Sequence, residues 1–315
     1  MWLSRFLILA LLAFPAAAQE WPSRVIKFVS PYPPGGSVDP LARLLAAKVG
    51  EALKQNIIVE NRTGASGVIG TDYVAKSPPD GYTFVFIFDT HAVHQALNPK
   101  LPFDPLKDFA PVMIVGTAPM AITTGTQKPY KSFQDALARA KSGGVSLGNV
   151  GNGSLAHLTT IVLNQATGAK FDPVAYKGGG PLSADLIGGH VELALASTAA
   201  QAQHVRSGKM RALALTGDKR SHTMPEVPTL KELGIDVVAH AWWGILAPAG
   251  TPQPIIDRFH AELVKAIRLP DVNKTLTETQ GMDVVTLSPE ATQKWIQENM
   301  ARWGKVVRDN NIRVE

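Results

Sequence analysis

The chain contains no cysteine among its 315 residues, and it has no long apolar run beyond its N-terminal segment. Without cysteine it forms no disulfide, offers no thiol nucleophile and lacks the residue that anchors a bacterial lipoprotein. Lysine and arginine are scattered instead of clustering with aromatic residues, as they do in nucleic-acid-binding surfaces. We therefore expect a protein that binds no nucleic acid and carries no lipid anchor.

The usual catalytic signatures are also missing. The sequence has no G-x-S-x-G elbow, no G-x-G-x-x-G fingerprint and no P-loop. His91 and His94 are spaced like a metal pair, but no HExxH pattern accompanies them. Asp39 and Asp185 are a candidate acid/base pair, although Asp39 stands before Pro40 as a helix N-cap does. We predict no catalytic residue, no cofactor and no metal, and a secreted hydrolase is the alternative from another class.

Residues 1–18 have the pattern of a secretory signal peptide. Arg5 supplies a positive charge, residues 6–14 are apolar, and Ala16 to Ala18 form a small-residue cleavage site. The apolar run is shorter than the roughly 20 residues that span a bilayer. We predict export and cleavage after Ala18, which lowers the formal net charge from +5 to about +4. An uncleaved membrane anchor is the alternative.

The rest of the chain predicts an α/β protein, because short apolar segments alternate with glycine turns and helical segments. Hydrophobic residues make up 45% of the sequence, enough for the cores of two domains. The predicted strands are residues 25–30, 57–60, 82–88, 109–116, 145–150, 173–176, 191–196 and 210–216. The predicted helices are residues 41–53, 68–76, 133–141, 155–166, 182–187, 199–207, 254–267 and 289–310. This alternation indicates a largely parallel sheet.

Two of the glycine turns predict an anion site. Gly35 and Gly36 precede Ser37 and the first helix, and residues 151–154 precede the helix that begins near Leu155. Glycine lets a ligand approach the backbone, and a helix start presents free amides and a positive dipole end. Both turns are alternatively ordinary strand-to-helix connections. The hydroxyls of Ser37 and Ser154 either donate to a ligand or cap their helices.

Aromatic residues offer a second kind of contact. Tyr32, Trp242 and Trp243 are candidates for stacking on an aromatic ligand, or they belong to the core.

The order of motifs along the chain resembles the Bug-type periplasmic receptors of tripartite tricarboxylate transporters. The matching segments include residues 28–39 (FVSPYPPGGSVD), 59–67 (VENRTGASG), 79–83 (PDGYT), 90–92 (THA), 101–105 (LPFDP), 108–112 (DFAPV), 176–179 (YKGG), 211–216 (RALALT), 246–252 (LAPAGTP) and 301–305 (ARWGK). The resemblance implies a two-lobed, type II-like periplasmic binding fold, each lobe a sheet flanked by helices with a hinge between. We place lobe 1 at residues 19–122 plus 243–315, and lobe 2 at residues 123–242.

The resemblance also implies a site in which main-chain amides and ordered waters from both lobes hold a ligand carboxylate. Its residues in this sequence are Tyr32, Gly36, Ser37, Ser66, Thr90, His91, Gly153, Ser154, His157, Tyr176 and Ser197.

The same resemblance implies a function, a location and a set of partners. A monomeric periplasmic receptor is expected to deliver a small aliphatic or aromatic mono- or dicarboxylate to integral-membrane transporter subunits. Presentation of the ligand to a sensor kinase is the alternative. Many relatives carry an aspartate where this chain has Ala196, so we expect a plain carboxylate and not an amino acid. The alternative is that this aspartate is structural in the relatives and that its absence says nothing about the ligand.

Overall fold

The structure is a computed structural model that describes residues 21–313. The predicted signal peptide and its cleavage site after Ala18 lie outside these residues. The strands are β1 (Ile26–Ser30), β2 (Ile57–Asn61), β3 (Thr83–Phe88), β4 (Phe109–Gly125), β5 (Val145–Asn149), β6 (Phe171–Ala175), β7 (Leu193–Ser197), β8 (Met210–Leu215), β9 (His240–Pro248) and β10 (Asp283–Val284). The helices are α1 (Val38–Leu53), α2 (Val68–Ala75), α3 (His94–Leu97), α4 (Phe133–Ser142), α5 (Leu155–Thr167), α6 (Gly179–Gly188), α7 (Thr198–Arg206), α8 (Gln253–Arg268), α9 (Pro270–Lys274) and α10 (Pro289–Asp309). In the described part of the chain, none of these helices combines the length and apolarity that a membrane crossing requires.

The first sheet has the strand order β2-β1-β3-β9-β4. Strands β1, β2 and β3 run parallel, and α1 and α2 connect them, so both helices begin near the carboxyl ends of strands. Strand β9 is antiparallel to both of its neighbours, β3 and β4. Helix α8 covers one face, where Phe259 stacks on Phe84 with ring centroids 4.1 Å apart. The section after residue 240 therefore packs on the first sheet.

The second sheet is built on β5, which lies between β6 and β7 and parallel to both. Strands β7 and β8 are antiparallel to the last residues of β4. The helices α5, α6 and α7 follow β5, β6 and β7 in turn, so they too begin at the carboxyl ends of strands. Helices α1, α2, α5, α6 and α7 thus present their N-termini where ligands bind in open α/β sheets.

One strand, β4, belongs to both sheets. Its residues Phe109 to Pro119 pair with β9, and Met120 to Gly125 pair with β7 and β8. The predicted strand at residues 109–116 was too short, because Gly116 does not end it. That glycine instead admits Met282, whose Cγ would lie 2.6 Å from an added Cβ. The prediction of a largely parallel sheet was also wrong, since every strand paired with β4 is antiparallel to it.

Candidate functional site

The turn between β1 and α1 brings the start of α1 to a small cavity. Gly35 has a φ of 88°, a conformation that favours glycine. Ser37 is the N-cap residue, but its hydroxyl makes no capping bond and instead accepts a hydrogen bond from Trp243 Nε1 at 3.2 Å. The first amides of α1 therefore lack a side-chain acceptor.

Asp39 is the second residue of α1, so the predictions of Asp39 as N-cap and of Pro40 as first helical residue were wrong. Its carboxylate accepts bonds from Arg43 Nε at 2.9 Å and from Asn61 Nδ2 at 2.7 Å. Burial raises the pKa of Asp39, but the hydrogen bonds from Arg43 and Asn61 outweigh it, and the net pKa lies below the usual value. A carboxylate bound in this way is structural, not the acid of an acid/base pair.

The cavity lies between turns of the two sheets and encloses about 40 Å³, room for only a few waters. None of the residues that line it carries a charged side chain. They are Tyr32, Pro33, Gly36, Ser37, Val38, Ser66, Phe88, Thr90, Val150, Gly178, Gly179, Ser197 and Ala200. Of the predicted site residues, the structure thus brings together Tyr32, Gly36, Ser37, Ser66, Thr90 and Ser197.

Three helices, α1, α6 and α7, begin at this cavity, at Ser37, Gly178 and Ser197. None of the three has a side-chain cap, whereas Ser132, Ser154 and Ser288 cap α4, α5 and α10. The first turns of α6 and α7 also contain no acidic residue. The amides and the positive dipole ends of these helices are therefore available to an anion in the cavity.

The turns from the two sheets touch each other around the cavity. A Cβ on Gly180 would lie 3.2 Å from the carbonyl oxygen of Pro34, and one on Gly36 would lie 3.8 Å from Gly179 N. Ser66 Oγ donates a hydrogen bond to the carbonyl oxygen of Asn152 at 3.0 Å. The cavity is therefore closed by main-chain contacts that depend on glycines.

Aromatic residues form one wall of the cavity. The Tyr32 hydroxyl bonds to the Thr90 hydroxyl, and burial raises the pKa of Tyr32. The Tyr32 ring packs edge-on against Phe88, which in turn contacts Trp243. Trp242 and Trp243 are fully buried and do not line the cavity. Of the three aromatic residues considered for stacking, only Tyr32 is in position.

In the second predicted glycine turn, residues 151–154, the glycine amides bond to side chains nearby in sequence. Gly151 N donates to Asn149 Oδ1, and Gly153 N donates to His157 Nδ1, each at 3.0 Å. Ser154 is fully buried, and its Oγ caps α5 by accepting a bond from His157 N. Burial lowers the pKa of His157. Gly153, Ser154 and His157 do not line the cavity, and the Gly153 amide, the Ser154 hydroxyl and His157 Nδ1 already have partners.

The turn before α6 takes the place of the predicted second turn. Gly178 and Gly179 line the cavity, together with Val150, Phe88 and Ala200, which the sequence analysis did not select. The signal for Gly178 and Gly179 was present in the sequence, since residues 177–181 repeat the pattern of several glycines followed by a proline within a helix start.

His91 and His94 lie behind the cavity wall. His91 Nε2 bonds to the carbonyl oxygen of Pro105 at 3.2 Å, and its ring packs against Phe103 and Phe109. His94 Nε2 bonds to the carbonyl oxygen of Ser66 at 3.0 Å and so fixes a cavity-lining residue. Burial lowers the pKa of His91 to about 3 and that of His94 to about 4, so both rings are neutral. His91 therefore does not reach the cavity.

Asp89 is a buried acid that the sequence analysis missed. One of its carboxylate oxygens has no hydrogen-bond partner among residues 21–313, and burial raises its pKa well above the usual value. Although it lies close in sequence to His91 and His94, no group of three His, Cys, Asp or Glu residues suited to a metal ion is found in the described chain.

A wider groove of about 500 Å³ adjoins the cavity. The two spaces share Tyr32, Pro33, Ser66, Val150 and Gly178 as lining residues, so they lie side by side. The groove is otherwise lined by Pro31, Thr63, Gly64, Ala65, Gly67, Gly151, Asn152, Ala175, Tyr176, Lys177 and Pro181. Tyr176, a predicted site residue, faces this groove, and burial together with the neighbouring Asp185 raises its pKa to about 12.

The family and its fold follow from comparison with known proteins. The family model of the tripartite tricarboxylate transporter family receptor matches residues 41–312. Protein BugT of Bordetella pertussis is 37% identical over 315 residues, which cover 98% of this chain and 96% of that protein. The structure of the periplasmic binding protein BugD aligns with a TM-score of 0.88 at 30% identity, and the alignment covers 93% of this chain and 100% of BugD. Rpa4515 of R. palustris, solved with adipate, aligns with a TM-score of 0.89 at 31% identity over 93% of this chain and 100% of that chain.

These similarities confirm the family that the motifs indicated and the two-lobed α/β fold expected from it. The fold and the family are those of solute-binding receptors, of which BugD is a periplasmic example. The chain belongs to the receptor family of the tripartite tricarboxylate transporters.

Proposed function

We propose that this protein captures a small carboxylate-containing solute between its two lobes and delivers it to the membrane subunits of a tripartite transporter. One observation carries the proposal: three helices without side-chain caps begin at a cavity that no charged side chain lines. A carboxylate there would accept charge-assisted hydrogen bonds from main-chain amides, and such bonds are stronger than neutral ones. The adipate bound to the R. palustris relative supports this ligand class.

Hydroxyl groups would complete the carboxylate site. Ser37 Oγ accepts from Trp243, which leaves its own proton free to donate. The Tyr32–Thr90 pair and Ser197 lie on the same lining. We assign ligand contacts to Tyr32, Gly36, Ser37, Ser66, Thr90 and Ser197, and add Gly178 and Gly179. Tyr176 is assigned to the part of the ligand that extends into the groove.

The lining also favours a plain carboxylate over an amino acid. No acidic residue lines either the cavity or the groove, so a ligand ammonium would have no counter-charge. Burying an unpaired charge costs several kcal/mol. The residue before Ser197 is Ala196, whose side chain offers no negative charge.

Entry of the ligand requires the lobes to separate. A space of about 40 Å³ does not hold a dicarboxylate, and the turns that close it come from both sheets. We propose lobe 1 as residues 19–122 plus 243–315 and lobe 2 as residues 123–242, with β4 and β9 as the connections. We further propose that a monomer acts in the periplasm after cleavage behind Ala18 and returns its ligand chemically unchanged.

The test is a binding screen on the mature chain, first unfolded and refolded to remove any co-purified ligand. Succinate, adipate, malate, benzoate and terephthalate are compared with glutamate and aspartate by thermal shift and calorimetry. A bound carboxylate at a hundredfold excess over its Kd should stabilise the protein by about 2.7 kcal/mol. Mass spectrometry should recover the ligand unchanged. A panel in which no carboxylate binds, or in which glutamate binds tightest, contradicts the proposal.

A further inference from the structure

Among residues 21–313, Lys177 is the only charged residue that lines the cavity or its adjoining groove. It lies in the connection between β6 and α6, and its side chain is exposed. Its ammonium has no ion pair or hydrogen bond among residues 21–313. The groove therefore offers a positively charged side chain to a ligand, which the inner cavity does not.

The position of Lys177 is electrostatically unfavourable in the protein without ligand. It directly precedes Gly178, the N-cap of α6, where the helix dipole already places positive charge. No acidic residue in the first turn of α6 offsets that charge. Groups placed against local electrostatics in this way are typical of functional sites.

The groove that Lys177 lines also offers apolar surface, which comes from Pro31, Pro33, Val150, Ala175 and Pro181. A molecule whose carboxylate lies at the helix starts and which extends into the groove therefore meets apolar surface and a single cation. This combination matches an extended molecule with an acid at each end.

We propose that Lys177 is a specificity-determining residue that binds the second anionic group of an elongated, apolar-centred dicarboxylate. The inference rests on the proposed function, because it requires the first carboxylate to occupy the inner cavity. It goes beyond that function in naming the ligand class as dianionic and in placing selectivity on one side chain.

The experiment compares two matched series of probes. Binding of the α,ω-dicarboxylates from succinate to azelate is measured beside that of the monocarboxylates from butyrate to nonanoate. Wild-type protein is compared with Lys177→Met, with the charge-conserving Lys177→Arg and with Lys170→Met. Lys170 precedes β6, is exposed, does not line the groove and lies 3.9 Å from Asp172, so its removal controls for loss of net charge.

Lys177→Met should weaken binding of the best dicarboxylate by about two- to fivefold, the range of an exposed ion pair, and leave binding of the matched monocarboxylate unchanged. Lys177→Arg and Lys170→Met should keep the preference, and added salt should reduce it in wild type. The melting temperature of ligand-free Lys177→Met should equal or exceed that of wild type, because the variant removes an unfavourable charge.

The possible results separate the role of Lys177 from the proposed function. If monocarboxylates and dicarboxylates bind wild type equally and Lys177→Met changes neither, the role of Lys177 is wrong while the proposed function stands. If Lys177→Met weakens both series equally, the residue acts on the structure of the turn and not on selectivity, which also overturns the role. If neither series binds wild type, the proposed function fails, and the role of Lys177 fails with it.

Discussion

Gly36 tests whether main-chain amides bind the ligand. An added Cβ would lie 3.8 Å from Gly179 N, an ordinary contact, so Gly36→Val should fold. Its branched methyl groups would occupy the cavity and separate the ligand from the amides of α1 and α6. Loss of these charge-assisted bonds should weaken carboxylate binding by roughly a hundredfold or more. Calorimetry on the folded variant measures the loss.

Ser37→Ala is the matched control, and it should affect the stability of the protein more than its ligand affinity. It removes the acceptor of the buried Trp243 indole N–H, which should lower the free energy of unfolding by about 1–3 kcal/mol. Ligand affinity should fall much less than in Gly36→Val. Normal binding by Gly36→Val together with failure of Ser37→Ala would show that hydroxyls, not amides, hold the carboxylate.

The two glycine turns show which site residues could not be predicted from the sequence. Gly153 and Gly179 both stand in glycine turns before helices, and nothing local distinguishes them. The Gly153 amide donates its hydrogen bond to His157 Nδ1, one helical turn later, whereas Gly179 lines the cavity. Tyr32, Gly36 and Ser37, which were predicted from their glycine turn and from the family motif, do line the cavity.

The cap of α5 gives a prediction at the level of the secondary-structure element. Ser154 Oγ accepts from His157 N and is fully buried, so Ser154→Ala should destabilise the protein by about 1 kcal/mol. Ligand affinity should stay at the wild-type value, because no group of Ser154 lines the cavity. Urea unfolding and calorimetry provide the two measurements.

Ser132→Ala is the control for this change, since Ser132 caps α4 in a full capping box. The two variants should lose similar stability and bind equally well. If Ser154→Ala alone lost the ligand, the original placement of Ser154 in the site would be right and the capping role secondary.

Elements with local signals were predicted well, and those that depend on distant residues were not. Helix α1 and strand β3 have bounds within a few residues of those expected, because their apolar spacing and flanking glycines are local. Strand β9 was missed entirely, although Ala241 to Pro248 are all buried. A continuous buried run carries no alternation, and its pairing with β3 and β4 comes from residues far away in sequence.

The stability of the whole molecule should fall as the pH drops from about 6.5 to about 4. His91 and His94, with pKa values of about 3 and about 4, stay neutral in the folded protein over this range while the unfolded chain takes up two protons. Asp89, whose pKa is raised, acts in the opposite direction because the folded state holds its proton. Each histidine contributes a slope of about 1.4 kcal/mol per pH unit, and Asp89 opposes one of the two only at pH values where it holds its proton in the folded state. Burial of His157 and His240 adds to the slope.

Asp89→Asn separates these contributions. It removes the opposing group and preserves its size, so the stability loss per pH unit should become steeper, by up to about 1.4 kcal/mol per pH unit. His94→Gln should make it shallower. Urea unfolding at intervals between pH 4.5 and 7.5 measures both slopes. An unchanged slope in Asp89→Asn would mean that Asp89 is ionised in the folded protein.

The position of β9 between β3 and β4 determines the order in which the protein folds. Residues 240–248 pair with β3 and β4, which are made much earlier, and the strands β5 to β8 lie between them in the chain. Until β9 arrives, the apolar edges of β3 and β4 stay unpaired, and such edges invite association between chains. Pairing over so long a sequence separation is slow. Nascent or C-terminally truncated chains ending before residue 240 should therefore aggregate, and the full chain must be kept apart from its copies until its last quarter is present.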